Sequence, residues 1–182
     1  FPIINDPGLE FGAALAVRPA SVGAEYLVAW EDERQITGSE IRAQRVGTLN
    51  WHEFNVSAPM ESQENPRVVY NAIDRRFLVV WQDDRDGNSD IYAQLVLTTG
   101  IPITDNIVVR DEPSDVVEPV VAHNPHDNTY LVVWDDETEG DIEGIVLDNT
   151  GDPTVAAFNI SDGVDVRRHP AVAFSPDDSH YL

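Results

Sequence analysis

The chain repeats a unit of about fifty residues. Tyr26-Leu27-Val28-Ala29-Trp30 returns as Phe77-Leu78-Val79-Val80-Trp81, returns again as Tyr130-Leu131-Val132-Val133-Trp134, and begins once more at Tyr181-Leu182. The aromatic starts at 26, 77, 130 and 181 are 51, 53 and 51 residues apart. A fixed period of this size marks stacked supersecondary units, each too small to bury its apolar face alone.

Each repeat divides into four β-like segments separated by turn residues. The first follows a Pro or a small residue: Ala14–Val17, Pro66–Tyr70, Pro119–Ala122 and Pro170–Phe174. A Pro is expected to open each of these strands, where its missing N–H leaves no gap in the ladder. The second is the aromatic-Leu-Val-Val-Trp segment, apolar throughout, as a strand covered on both faces must be. The third starts at an acid: Glu40–Val46, Asp90–Val96 and Asp141–Val146. It alternates, as a half-exposed strand does. The fourth is Phe54–Ser57, Ile107–Val109 or Phe158–Ser161, and Phe1–Ile4 reads as one more copy. No segment shows capped helical periodicity. The expected fold is all-β, a β-propeller of four-stranded blades. Its full repeats span about 14–57, 66–109 and 119–161, with a partial repeat at 170–182 and an N-terminal strand at 1–4 that completes another blade. Trp30, Trp81 and Trp134 are its expected structural core, packed between blades.

The string Leu78-Val79-Val80-Trp81-Gln82-Asp83-Asp84-Arg85-Asp86-Gly87-Asn88-Ser89-Asp90-Ile91-Tyr92-Ala93-Gln94 resembles a repeat of large secreted bacterial and archaeal surface proteins. Their pattern is three apolar residues and Trp, an acidic-Arg-Gly loop, then Asp-Ile-Tyr and a small residue before Gln. The first repeat departs from it with Glu40 in place of Asp. The third lacks the Arg and carries Glu143 for Tyr and Ile145 for Gln. The resemblance implies propeller-like scaffold modules on a secreted or cell-surface protein, and it carries over no catalytic residues.

Charge narrows the partners. The 33 Asp and Glu face 11 basic residues, every one an Arg, for a net charge of −22. Such a surface repels polyanions, so nucleic acid is not an expected partner. It suits cation binding or life at high ionic strength, where salt screens the self-repulsion; an ordinary acidic extracellular surface is the alternative. No run approaches eighteen apolar residues, so no membrane-spanning helix is expected. With no Cys, thiol chemistry and Cys-based metal sites are excluded.

Within the middle repeat, Asp84, Asp86, Asn88 and Asp90 occupy alternate positions and offer the oxygen ligands that Ca²⁺ takes. Gly87 is at the fourth position of that loop and no distal Glu matches, so it is not an EF-hand. The competing reading is a self-satisfied hairpin in which Asp83 or Asp90 pairs with Arg85 and accepts backbone N–H groups. The pairs Asp83/Asp84, Asp135/Asp136 and Asp177/Asp178 are the adjacent carboxylates that glycosidase chemistry calls for, but in a chain this acidic they arise by chance and face water. His52, His123, His126, His169 and His180 show no zinc-ligand spacing. Nucleophile elbow, phosphate-binding Gly loop, dinucleotide fingerprint and sialidase Asp-box are all lacking in the sequence. Asn55 and Asn159 match Asn-x-Ser, yet both fall at one place in the repeat, inside a strand, which reads as blade packing.

The repeat register places both ends of the sequence inside blades. Three readings follow: part of a longer protein, a missing strand supplied by a neighbouring copy, or a small self-contained ring. The expected function is a non-enzymatic extracellular or surface scaffold, an interaction module or a subunit of a filament or layer. Other copies of itself or further blades of the same chain are its expected partners. Two alternatives stand beside it. One is a lectin-like propeller binding glycans through Trp51 and Tyr92. The other is a fragment of a larger propeller glycosidase.

Overall fold

The computed structural model describes residues 10–19, 24–34, 38–47, 52–57, 61–103, 105–161 and 168–182. The Phe1–Ile4 strand and Trp51 lie outside them. Three four-stranded sheets follow one another along the chain, and each is a simple antiparallel meander in sequence order. The first contains β1 (Glu10–Pro19), β2 (Ala24–Asp32), β3 (Glu40–Val46) and β4 (Glu53–Asn55). The second contains β5 (Gln63–Asn71), β6 (Arg76–Asp83), β7 (Asp90–Leu97) and β8 (Ile107–Arg110). The third contains β9 (Val116–Asn124), β10 (Thr129–Asp136), β11 (Asp141–Leu147) and β12 (Phe158–Ser161). A two-stranded hairpin, β13 (Phe174–Ser175) with β14 (His180–Tyr181), begins a fourth repeat. The chain is all-β and propeller-type, one sheet per repeat. The first strand of each sheet packs on the first strand of the next, β1 on β5 and β5 on β9. That makes the first strands the inner ones.

The core lies between sheets. Trp81 joins Ala16, Leu27, Ala29 and Ile41 of the first sheet, whereas Trp134 joins Leu78, Val80, Ile91 and Ala93 of the second. Trp30, Trp81 and Trp134 are all fully buried. An apolar second strand buried on both faces drives the stacking, because a single blade has no other way to remove it from water.

Inner strands differ from their expected form in one respect. Pro66 and Pro119 do not open β5 and β9 but lie three residues inside them. The strand tolerates Pro there because its pairing is bulged, between Glu64 and Arg67 in β5 and opposite Val133 to Asp135 in β9. Just before each Pro the backbone turns left-handed, with φ of 53° at Asn65 and 53° at Glu118. His169, before Pro170, has φ of 62°, and Gly12 at the same place in β1 has φ of 58°. The inner strands β1, β5 and β9, and the segment leading into β13, thus each carry a left-handed residue at one level of the repeat.

The matching Asn-x-Ser segments fasten outer strands. Asn55 Nδ2 donates to Glu40 Oε2 (3.2 Å) and the Ser57 hydroxyl accepts from the Ile41 N–H (2.8 Å). In the third sheet Asn159 Nδ2 donates to Asp141 Oδ2 (3.3 Å) and Ser161 accepts from the Ile142 N–H (3.1 Å). Both asparagines are occupied with a buried acid at the head of the neighbouring strand.

Candidate functional site

The left-handed residues gather side chains from consecutive blades. The residue after each repeat Trp is Glu31, Gln82 or Asp135. Glu31 Oε1 accepts the backbone N–H of Asn65 in the next blade (2.8 Å), and Asp135 Oδ2 accepts that of His169 in the next repeat (2.9 Å). Gln82 bonds within its own blade instead: its Oε1 accepts from Asn65 Nδ2 (3.2 Å) and its Nε2 donates to the Ser89 hydroxyl (3.2 Å). A left-handed residue turns its N–H out of its own ladder, so a side chain from the neighbouring blade can take it.

Around the first two blades this produces a carboxylate group. Glu64 lies on β5 opposite Gln82, one residue before Asn65. Its carboxyl is pushed above the usual range, first by burial and then by the negative charges of Glu31, Asp84 and Glu33. Asp84 is held by the Ser89 hydroxyl (2.7 Å). Between the third blade and the fourth repeat stands a second group. His169 Nδ1 lies 2.5 Å from Glu118 Oε2, beside Asp135. Asp135 too is pushed up, by burial foremost and against the His169 N–H, with Glu118 adding to the rise.

Asp84, Asp86, Asn88 and Asp90 do not share a centre. Asp84 faces Ser89, Asp86 accepts from the Tyr92 hydroxyl (3.2 Å), and Asn88 donates to Asp90 Oδ1 (3.0 Å) and to the Glu112 carbonyl (2.7 Å). The hairpin supplies its own ligands. Asp83 Oδ1 accepts from the Arg85 N–H (3.1 Å) and Nε (2.8 Å), while its Oδ2 takes the Trp81 indole N–H (2.8 Å). The same clamp recurs at Asp32, whose Oδ1 accepts from the Arg34 N–H (3.0 Å) and Nε (2.8 Å). Without an Arg in the third repeat, Asp136 Oδ1 accepts the N–H groups of Thr138 (2.8 Å) and Glu139 (2.9 Å). Asp90 is fully buried; its carboxyl is pushed up to about 6 by burial, partly offset by the Glu112 N–H.

Tyr92 is not an exposed sugar platform. It is 5% exposed, stacked on Trp81 and covered by the Arg85 guanidinium 4.0 Å from its ring centre. The glycan reading loses this residue, because both ring faces are occupied. His123 and His126 do not form a pair: His123 contacts Asn128 and Tyr130, and His126 contacts Phe174. Sequence reasoning missed Glu64, Glu118 and His169. Their one signal was a polar residue at or just before the pre-proline position in successive repeats.

No protein-family model matches the sequence, and no curated protein matches it. Solved structures do. An arabinanase from Bacillus subtilis superimposes with a TM-score of 0.51 at 13% identity, covering 81% of this chain and 55% of its own. A GH130-family glycoside hydrolase targeting β-1,2-mannosidic linkages in Candida mannan gives 0.56 at 10% identity, covering 93% of this chain and 58% of its own. An exo-β-1,3-galactanase from Phanerochaete chrysosporium gives 0.54 at 15%, covering 81% and 38%. The chain spans about half the length of the first structures it matches. At these identities the likeness is one of fold.

The expectation of a non-enzymatic scaffold or filament subunit is corrected here. The blades of this chain superimpose on those of glycoside-cleaving enzymes, so regular repetition without a local catalytic motif is no argument against catalysis. The physical reason is that blades bring acids together from separate repeats. Such a set has no signature in any contiguous stretch of sequence.

Proposed function

We propose that the chain belongs to a glycoside-cleaving propeller, with Glu64 as its proton donor. The observation that carries this reading is the Glu64 carboxyl, held on the bulge of an inner strand and pushed up by burial and by Glu31, Asp84 and Glu33. Cleaving a glycosidic bond needs one carboxyl that keeps its proton beside another that stays charged. Crowding of acids around the half-buried Glu64 moves its carboxyl in that direction. Glu31 and Asp84 are the neighbouring carboxylates available for the second role. The fold likeness to arabinan-, galactan- and mannoside-cleaving enzymes supports a polysaccharide as substrate. An acidic, Cys-free chain that resembles secreted surface repeats fits work outside the cell.

The test is product release from arabinan, β-1,3-galactan and β-1,2-mannan oligosaccharides by the full-length protein and its Glu64→Gln variant. The variant is expected to lose at least about 100-fold in kcat while keeping its fold. A full-length protein that cleaves none of the three, or a Glu64→Gln variant as active as the parent, overturns the assignment.

A further inference from the structure

We infer that Glu118, Asp135 and His169 form a divalent-cation site that ties the third blade to the fourth repeat. One ligand atom from each lies within 4.8 Å of the other two. They come from three places in the chain: β9, the end of β10, and the segment just before Pro170. Two carboxylates and an imidazole present two oxygens, one nitrogen and charge to match a doubly positive ion. That donor set suits borderline ions such as Zn²⁺ or Mn²⁺, whereas Ca²⁺ asks for six to eight oxygens.

A second observation points to the same place. Asp135 is 2% exposed, and its Oδ1 is buried with no hydrogen-bond partner. Its Oδ2 already accepts the His169 N–H. A buried carboxylate oxygen left unmatched is a large desolvation loss, which a coordinated cation removes. The Arg168 guanidinium pairs with Glu137 and reaches Asp135 only as a neighbouring charge, without a hydrogen bond to it. His169 is exposed on the outer side of the triad, its side chain 77% accessible, which leaves a path for an ion to enter. The two earlier blade interfaces have no equivalent, since Gly12, Glu31 and Asn65 at the first and Asn65, Gln82 and Glu118 at the second stand where Glu118, Asp135 and His169 stand.

Titration calorimetry of the chelator-stripped full-length protein with ZnCl₂, MnCl₂ and CaCl₂ tests this. One equivalent of Zn²⁺ or Mn²⁺ is expected per triad, at least about tenfold tighter than Ca²⁺. The ion should raise Tm. His169→Ala, at an exposed side chain, should fold normally and lose both the binding and the Tm rise; Asp135→Asn should lose the binding as well. Absence of uptake, uptake undiminished in His169→Ala, or a preference for Ca²⁺ overturns the site. None of these readouts depends on glycoside cleavage, so the site and the catalytic role of Glu64 stand or fall separately.

Discussion

Glu31 of the first blade accepts the backbone N–H of Asn65 in the second at 2.8 Å, and this bond crosses the blade interface at the one left-handed residue of the inner strand. Asp135 repeats it with His169 one interface later. Apolar stacking holds blades together without fixing how far one slides along the next. A directional bond from a fixed side chain to a fixed N–H does set that register. Glu31→Ala is therefore expected to lower stability by about 1.5–3 kcal/mol, the range for a hydrogen bond to a charged acceptor. Glu31→Gln, which keeps an acceptor oxygen, should lose about half of that or less. Urea unfolding monitored by Trp fluorescence measures both.

Gly12 shares that level on the first blade. A Cβ built there would stand 2.2 Å from Glu31 Oε1, and φ is +58°. Gly12→Ala should therefore cost more than the roughly 1–2 kcal/mol of a left-handed alanine alone, since the carboxylate must also move. Asn65→Gly, at φ 53° but with its N–H retained, should change stability by less than about 1 kcal/mol. A Gly12→Ala protein as stable as the parent by the same urea assay would remove the packing of Glu31 against β1.

Asp90 sets a pH dependence. Its carboxyl is pushed from 3.8 to about 6 in the folded protein, so folding favours the protonated form. That contribution is present below pH 4 and is lost as pH rises through 6. Asp90→Asn, neutral at every pH and still an acceptor for Asn88 and the Glu112 N–H, should be more stable than the parent at pH 8. The gain is about 1–2 kcal/mol, less than the full shift would give because the hairpin around it meets water. The difference should shrink as pH falls below 6 and close below about pH 4. Melting curves at pH 4.5, 6 and 8 follow it, and a gap that does not vary with pH would contradict the assignment to Asp90.

The blades were legible in the sequence because each is local. Apolar runs, turn residues and a fixed period placed the strand types of the three full repeats, and the structure moves their ends by only a few residues. Pro66 and Pro119 were misplaced because a bulge leaves no mark in polarity; only the pairing reveals it. The acid groups were hidden for a different reason. Glu31, Glu64 and Asp84 are tens of residues apart, and Glu118 and His169 belong to different repeats. Their juxtaposition is a product of stacking. Spacing alone singles out the Asp84–Asp90 hairpin, where alternation of acids reflects a turn that satisfies itself.

The charge of −22 predicts a response to salt. Ion pairs such as Arg85–Asp83 and Arg34–Asp32 have one partner fully buried and are weakly screened. Most other acids repel one another across the surface, with no Lys and few Arg to offset them. Raising NaCl from about 0.1 M to 1 M shortens the screening length from about 10 Å to 3 Å, which removes much of that repulsion while leaving the buried pairs intact. Tm should rise steadily over this range. KCl should act as NaCl does, because screening depends on ionic strength, and sucrose at matched osmolarity should give a smaller rise. A Tm that falls with salt would mean that attractive surface pairs dominate, against what the composition implies.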